Sequence, residues 1–143
     1  MKARLMDIIR NAVARDDRAP PVVELDDYFA GNDQEDSIAP NQAGSGRPAL
    51  RDLYEALHAI AQRPDVQTVL VGIHEDWQEA ERYEDIWPAG DSIHIYTRAT
   101  RSAVEGWVHG LAANGVLKGW PRGMHRLAPE PETDIRVYTV VWD

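Results

Sequence analysis

The chain has 143 residues, enough for a single domain (1–143) with one continuous core, and its 24 acidic and 15 basic side chains give a net charge of −9. A surface of this sign repels phosphate, so nucleic acid is excluded as the expected partner. The absence of cysteine excludes disulfides, thiolate zinc sites and a cysteine nucleophile.

A helix, a strand and a long loop are predicted in the first third of the chain. Apolar residues at three- and four-residue spacings predict an amphipathic N-terminal helix over residues 1–16, which ends before Pro20 and Pro21. A weaker first strand is predicted over residues 21–29, because apolar and acidic side chains alternate there. Residues 31–47 have hardly an apolar side chain and form a predicted loop, of a length usually found in functional or disordered segments.

The best-defined helix is predicted after Pro48, a residue suited to the first helical position. Leu50, Leu53 and Leu57 follow at three- and four-residue steps, and the helix ends before Pro64. The pattern therefore predicts an amphipathic helix that turns its leucine side to the core.

Two central strands come next, and the rest of the predicted fold is arranged around them. Residues 66–74 are apolar on both sides in their middle, which is typical of an interior strand. Residues 92–97 alternate, with two isoleucines on one side and His94 and Tyr96 on the other. The segment between the two strands is polar and acidic.

Two more helices are predicted from their ends. A short helix is predicted to start at Asp76, because Asp76 and Glu79 resemble a capping box. Thr100 is predicted to cap a later helix that ends at Asn114–Gly115. These two helices follow the first and the second central strand, respectively.

The end of the chain combines an irregular segment with a strand. Residues 115–131 are rich in glycine and proline and are predicted to be irregular, with at most a short strand. Residues 135–142 are mostly β-branched or aromatic and predict a last strand.

Apart from the N-terminal helix, this order predicts an α+β protein of the ferredoxin-like (βαββαβ) type. Such a fold is a four-stranded antiparallel sheet with two helices on one face. The second face would carry Leu70, His94 and Tyr96, a surface too apolar and aromatic to leave in water. Three covers are open: the N-terminal helix, a second copy in a homodimer, or a ligand under the loop 31–47.

The second face gives the first candidate site, with His74, His94 and Tyr96 as predicted ligand-binding residues. If the two central strands form a hairpin, His74 and His94 come close, since opposite residues lie about 5 Å apart. With Glu75 or Asp76 they would resemble a metal site, but no His-x-His or His-Glu-x-x-His pattern supports one. No metal and no other cofactor is therefore predicted.

No catalytic residue is predicted either. No serine lies in a Gly-x-Ser-x-Gly or Ser-x-x-Lys pattern, and the many carboxylates around residues 75–85 are typical of a solvated surface. An enzyme would accordingly be a cofactor-poor one of the dimeric α/β barrel type, using the face around His94 for proton transfer or ligand contacts. Small-ligand binding at the same face is the non-catalytic form of this alternative.

The acidic segment between the central strands gives the second candidate site. The predicted partner-binding residues are Asp76, Trp77, Glu79, Glu81, Glu84 and Trp87. Tryptophan is the residue type most enriched at binding hot spots, although in loops it more often anchors the backbone to the core. The first expectation from the sequence is a small acidic protein-binding domain without catalytic activity, which recruits or neutralises a cationic protein.

The expected location is the cytoplasm, without membrane contact, because the chain lacks cysteine and long apolar runs. The two functional expectations differ in one structural observation. A ligand site requires a concave pocket with His94 and Tyr96 exposed in it, whereas a binding domain requires that face to be sealed by the N-terminal helix.

Overall fold

The computed structural model of the chain describes residues 1–39 and 46–142. The helices in this part are α1 (Lys2–Arg15), α2 (Leu25–Phe29), α3 (Leu50–Ala61), α4 (Glu79–Arg82) and α5 (Arg101–Trp107). The strands are β1 (Val22–Glu24), β2 (Val66–Ile73), β3 (Gly90–Thr97), β4 (Gly115–Lys118) and β5 (Arg136–Val141). No helix of the described part is long and apolar enough to cross a bilayer.

The strands form one sheet in the order β1-β2-β3-β5-β4, with antiparallel pairing throughout. The α+β class is confirmed, and the ferredoxin-like order is not. In that order another strand separates the first strand from the second, whereas here Val22 pairs directly with Gly72 and Glu24 with Leu70. A fifth strand, β4, also comes from the glycine-rich segment.

The predicted strand over residues 21–29 is corrected by the structure. Its strand part ends at Glu24, and residues from Leu25 onward form α2 instead. Asp26 and Asp27 lie in the first turn of this helix, where carboxylates are favoured by the partial positive charge of the helix N-terminus. The same aspartates are poor strand formers, so both effects favour the helix.

The main core lies on the first face of the sheet, and the predicted alternation of the central strands is confirmed. Val69, Val71, Ile93 and Ile95 all belong to this core. The helix α1 packs here as well, through residues 5–9 among others. The sequence pattern had allowed the N-terminal helix to cover the second face. The structure shows that this helix packs on the first face instead.

The second face is covered by the connection between β4 and β5, residues 119–135, called the cover segment below. The hydroxyl of Tyr96 donates to the carbonyl oxygen of Pro129 at 2.8 Å. The side-chain amide of Gln67 donates to the carbonyl of Glu130 and accepts from the amide of Glu132, at 3.2 and 2.9 Å. Irregular backbone can lie over the sheet in this way because side chains satisfy its polar groups.

The cover segment is also joined to the end of α1. The imidazole of His125 is buried; its Nδ1 accepts from the amide of Leu127, so its Nε2 carries the proton. Nε2 lies 3.0 and 3.1 Å from the carbonyl oxygens of Ala12 and Asp16, which end the helix. The amides of Arg18 and Arg126 hold the pKa of the Asp16 carboxyl below its usual value. The cover is thus fixed both to the sheet and to α1.

The predicted loop 31–47 is described only in part, since residues 40–45 lie outside the described residues. Ile38 is fully buried and forms an isolated bridge with Gly90 at the start of β3. The hydroxyl of Tyr28 donates to the carbonyls of Ser37 and Pro88, at 3.0 and 2.7 Å. The first part of this segment is therefore packed against the sheet.

Candidate functional site

A row of small residues crosses the second face of the sheet. Strand pairing aligns Gly72 with Ser92, Ser92 with Val141, and Val141 with Gly115. Two glycines and a serine leave space between this row and the cover segment. The space is a cavity of about 400 Å³, walled on the cover side by Trp120 and its neighbours.

The next row holds His94 and Thr139, which form a hydrogen-bonded chain. The hydroxyl of Thr139 donates to the carbonyl oxygen of Gly119 at 2.7 Å. Its oxygen lies 2.8 Å from Nδ1 of His94 and, with its own proton already used, can only accept there. Nδ1 therefore carries the ring proton, and Nε2 has a free lone pair.

Nε2 of His94 has no hydrogen-bond partner in the described part of the chain. In that part, the side-chain nitrogen and oxygen atoms that lack both a partner and contact with solvent belong to Arg47 alone. Since Nε2 is not among them, it keeps contact with solvent. A Cβ atom on Gly72 would lie 3.0 Å from Nε2 and 2.1 Å from Oγ of Ser92. Glycine at position 72 thus allows both polar atoms to sit side by side at the cavity floor.

The imidazole of His94 is neutral at physiological pH. Burial lowers its pKa from 6.5 to about 3, because the charged form would lose its hydration. Trp120 packs against the ring, tilted by 35° at a centroid distance of 4.2 Å, and excludes water from that side. A group with so low a pKa is a weak general base near pH 7, but a good hydrogen-bond acceptor.

The lining of the cavity carries no net formal charge. Its acidic residue, Asp91, and its basic residue, Arg122, form an ion pair of 3.0 Å at the rim. The rest of the lining is aromatic, aliphatic, glycine, or neutral and polar. The site therefore differs from the chain as a whole, whose net charge is −9.

The three predicted ligand-binding residues are not brought together. His94 lines the cavity, while Tyr96 is fully buried beneath the edge of Trp120, and burial raises the pKa of its hydroxyl to about 12. His74 lies past the end of β2 and contacts Asp76, with 2.6 Å between Nδ1 and Oδ1. The register pairs His94 with Leu70, so the histidines are not opposite each other. Among the described residues, no group of three or more potential ligands is placed to hold a metal ion.

The six predicted partner-binding residues divide into buried and exposed ones. Trp77 and Trp87 are buried, and the indole nitrogen of Trp87 donates to the carbonyl of Tyr28 at 3.1 Å. The exposed ones are Asp76, Glu79, Glu81 and Glu84. The tryptophans thus anchor this segment to the core, and the four carboxylates lie on its outer surface.

The sequence pattern did not single out the cavity residues Thr139 and Arg122, and it assigned neither Trp120 nor Gly72, beneath the cavity floor, to a ligand site. One signal was available, since an isolated glycine inside an apolar strand often marks a close approach of neighbouring groups. Trp120 could not be assigned, because its role depends on where the segment between β4 and β5 lies in space. Ser92 is outside the nucleophile patterns of the sequence, and it has no hydrogen-bonded base in the described part.

A family model matches residues 2–140 of the chain, that of the Uncharacterized protein YfbO family. The comparison with curated proteins gave no match, and neither did that with solved structures. The family description names no activity, ligand or partner, so inferences about function depend on the geometry of the site.

Proposed function

The chain belongs to the Uncharacterized protein YfbO family, and we propose that it binds a small neutral molecule in the cavity between the sheet and the cover segment. The observation that carries this proposal is the open lone pair of His94 Nε2 at the wall of a cavity of about 400 Å³. A polar atom that faces a cavity and has no protein partner is satisfied by water or by a polar group of a ligand.

The shape and lining of the cavity support the proposal. Sites for small molecules typically measure about 300–1,000 Å³ and combine apolar walls with a few polar groups. Here Trp120, Leu117 and Val141 supply apolar wall, while Ser92 and His94 supply polar atoms. The charge balance of the Asp91–Arg122 pair favours a neutral ligand over an ion.

Binding is favoured over catalysis by the state of His94. Proton transfer near pH 7 needs a group whose pKa is near 7, and burial keeps the pKa of His94 at about 3. In the described part, no hydrogen bond joins Ser92 to His94, so the serine is not activated as a nucleophile. The site therefore resembles a receptor more than an active site.

The test uses Gly115, whose Cβ would point into open space on the cavity floor. Gly115→Val adds a side chain on the cavity floor and narrows the cavity, while Gly106→Val adds the same side chain on α5, where a Cβ also meets no neighbour. A fragment library is screened against the wild type and both variants by ligand-observed NMR. We expect fragments that bind the wild type and Gly106→Val but not Gly115→Val.

Fragments that bind Gly115→Val as well as the wild type would contradict the proposal, because their site would lie elsewhere. A screen without any bound fragment would contradict it too. Both readings require the variant to be folded, which circular dichroism and thermal unfolding check on the same samples.

We propose as a second candidate that the acidic segment between β2 and β3 binds a cationic protein in the cytoplasm. Glu79, Glu84 and the large side chain of Tyr83, which is 53% exposed, supply a charged and partly aromatic surface. Some of this charge is already offset within the chain, since Arg10 pairs with Glu81 at 2.8 Å. This partial neutralisation makes the second candidate the weaker one.

Charge reversal tests the second candidate. Replacing Glu79, Glu81 and Glu84 by lysine should weaken recovery of a native partner in pull-down experiments from cell extract. The matched control replaces Asp52, Glu55 and Glu105, three exposed carboxylates on α3 and α5, by lysine. Equal recovery with both triple variants would contradict binding at the acidic segment.

A further inference from the structure

The hydrogen bonds that join Gly119, Thr139 and His94 determine which hydrogen-bonding group a ligand of the cavity must carry. To move the ring proton of His94 from Nδ1 to Nε2, the hydroxyl of Thr139 would have to leave the carbonyl of Gly119 and donate to Nδ1 instead. That exchange would leave the partly buried carbonyl oxygen of Gly119 without its donor, which is unfavourable. Nε2 is therefore held as an acceptor, and only a donor can satisfy it.

Three other polar residues of the cavity, Ser92, Asp91 and Arg122, do not select between donors and acceptors. The hydroxyl of Ser92 has no hydrogen-bond partner among the described residues, so it can rotate and either donate or accept. Asp91 and Arg122 are engaged with each other at 3.0 Å. His94, whose Nε2 is held as an acceptor, therefore discriminates between ligands that bear a donor and ligands that do not.

The walls favour a flat ligand. Trp120 already packs against the ring of His94, with an angle of 35° between the planes, and it lines the cavity together with Trp142. Aromatic rings bury a large area with little conformational freedom to lose and pack well against indole. A rigid ring with one polar edge can reach Nε2 while its faces remain on apolar surface.

We infer that the ligand of this cavity is a neutral aromatic molecule that donates an N–H or O–H hydrogen bond to Nε2 of His94, an inference that rests on the proposed function. Thr139 is then a positioning residue, because it acts on the ligand only through the proton it holds on Nδ1. The cavity is therefore expected to bind aromatic molecules with such a donor and to reject those without one.

Two matched pairs of probes test the inference: indole with 1-methylindole, and phenol with anisole. Within each pair the ring is the same, and a methyl group replaces the donor hydrogen. We expect the donor of each pair to bind about tenfold or more tightly, measured by NMR titration, because the methylated probe leaves Nε2 without a partner.

Variants of Thr139 test its positioning role. Thr139→Ser keeps the hydroxyl, so the preference for indole over 1-methylindole should persist. Thr139→Val removes it, and the ratio of the two affinities should fall toward one. Nitrogen-15 chemical shifts of the imidazole give a second readout: the proton should reside on Nδ1 in the wild type and be shared between both nitrogens in Thr139→Val.

The outcomes separate this inference from the proposed function. If both members of each pair bind equally, the ligand class is wrong. It is also wrong if neither indole nor phenol binds but other fragments do. In both cases, loss of that binding in Gly115→Val still identifies the cavity as a binding site. If indole binds Gly115→Val as tightly as the wild type, both fail. A wild-type ring protonated on Nε2 overturns the inference without any binding measurement.

Discussion

Gly72 lies beneath the side chains of Ser92 and His94, and this contact gives the first prediction at the scale of single residues. In Gly72→Ala the new Cβ would lie 2.1 Å from Oγ of Ser92, so a strand or a side chain must shift. We expect a loss of about 1–3 kcal/mol in the free energy of unfolding, the usual range for overpacking. Urea denaturation measures it.

A double variant identifies the cause of that loss. Ser92→Ala removes Oγ, after which the nearest atoms to the new Cβ are His94 Nε2 at 3.0 Å and the Cβ of residue 92 at 3.5 Å. Gly72→Ala with Ser92→Ala should therefore recover most of the stability. Gly106→Ala, whose Cβ meets no neighbour, should not destabilise at all. No recovery in the double variant would mean that the contact with Ser92 is not the cause.

The buried imidazole of His94 gives a second prediction at this scale. The unfolded chain binds a proton at His94 below about pH 6.5, whereas the folded chain resists it down to about pH 3. Stability from this group is thus present above pH 6.5 and lost as the pH falls toward 3, with a slope of up to about 1.4 kcal/mol per pH unit. The pKa values of the Asp16 and Asp65 carboxyls are also lowered in the folded chain. Their contribution to stability is lost only below about pH 3.8, the ordinary pKa of an aspartate.

Urea denaturation of the wild type and of His94→Gln between pH 7 and 4 checks this dependence. The free energy of unfolding should decline less steeply in the variant, because it lacks the proton that only the unfolded wild type binds. Parallel curves would show that His94 titrates alike in the folded and unfolded chain.

At the scale of elements, the cover segment is joined to the sheet by few side chains, and Tyr96 is one of them. Tyr96→Phe removes the hydrogen bond to the carbonyl of Pro129, at a cost of about 1 kcal/mol. Local opening becomes easier where a contact is lost, so we expect faster hydrogen exchange in residues 119–135 and little change in β2 and β3. Mass spectrometry of deuterated peptides measures both.

Tyr83→Phe is the matched control, since the ring of Tyr83 is half-exposed and its hydroxyl makes no hydrogen bond in the described part. It should leave the exchange of the cover segment unchanged. If Tyr96→Phe also leaves it unchanged, the contact with Pro129 does not hold the segment in place.

At the scale of the whole molecule, the cover removes the physical reason for a sheet-to-sheet homodimer. The chain itself shields Leu70, Tyr96 and Val137. The large apolar side chains that stay exposed in the described part are Met1, Tyr83, Leu117 and Leu127, and so small a number is normal on a monomer. We expect light scattering to give the mass of one chain, and a stable dimer would contradict this.

Local patterns in the sequence predicted much of the fold. Alternation in residues 92–97 correctly assigned the isoleucines to one face and His94 and Tyr96 to the other. Thr100 caps α5, with its hydroxyl accepting from the amide of Ala103 at 3.1 Å, as its position before an apolar periodic segment predicted. These features depend on neighbours within a few residues, so the sequence contains them directly.

The sequence by itself determined the α+β class, the two faces of the central strands and the place of His94 on the second face. Only the tertiary structure decided the strand order, the role of residues 119–135 as the cover and the cavity between that cover and the row from Gly72 to Gly115. The physical reason is distance along the chain. Register, the proton on His94 and the wall formed by Trp120 result from contacts between residues 17 to 45 positions apart, and no local pattern encodes them.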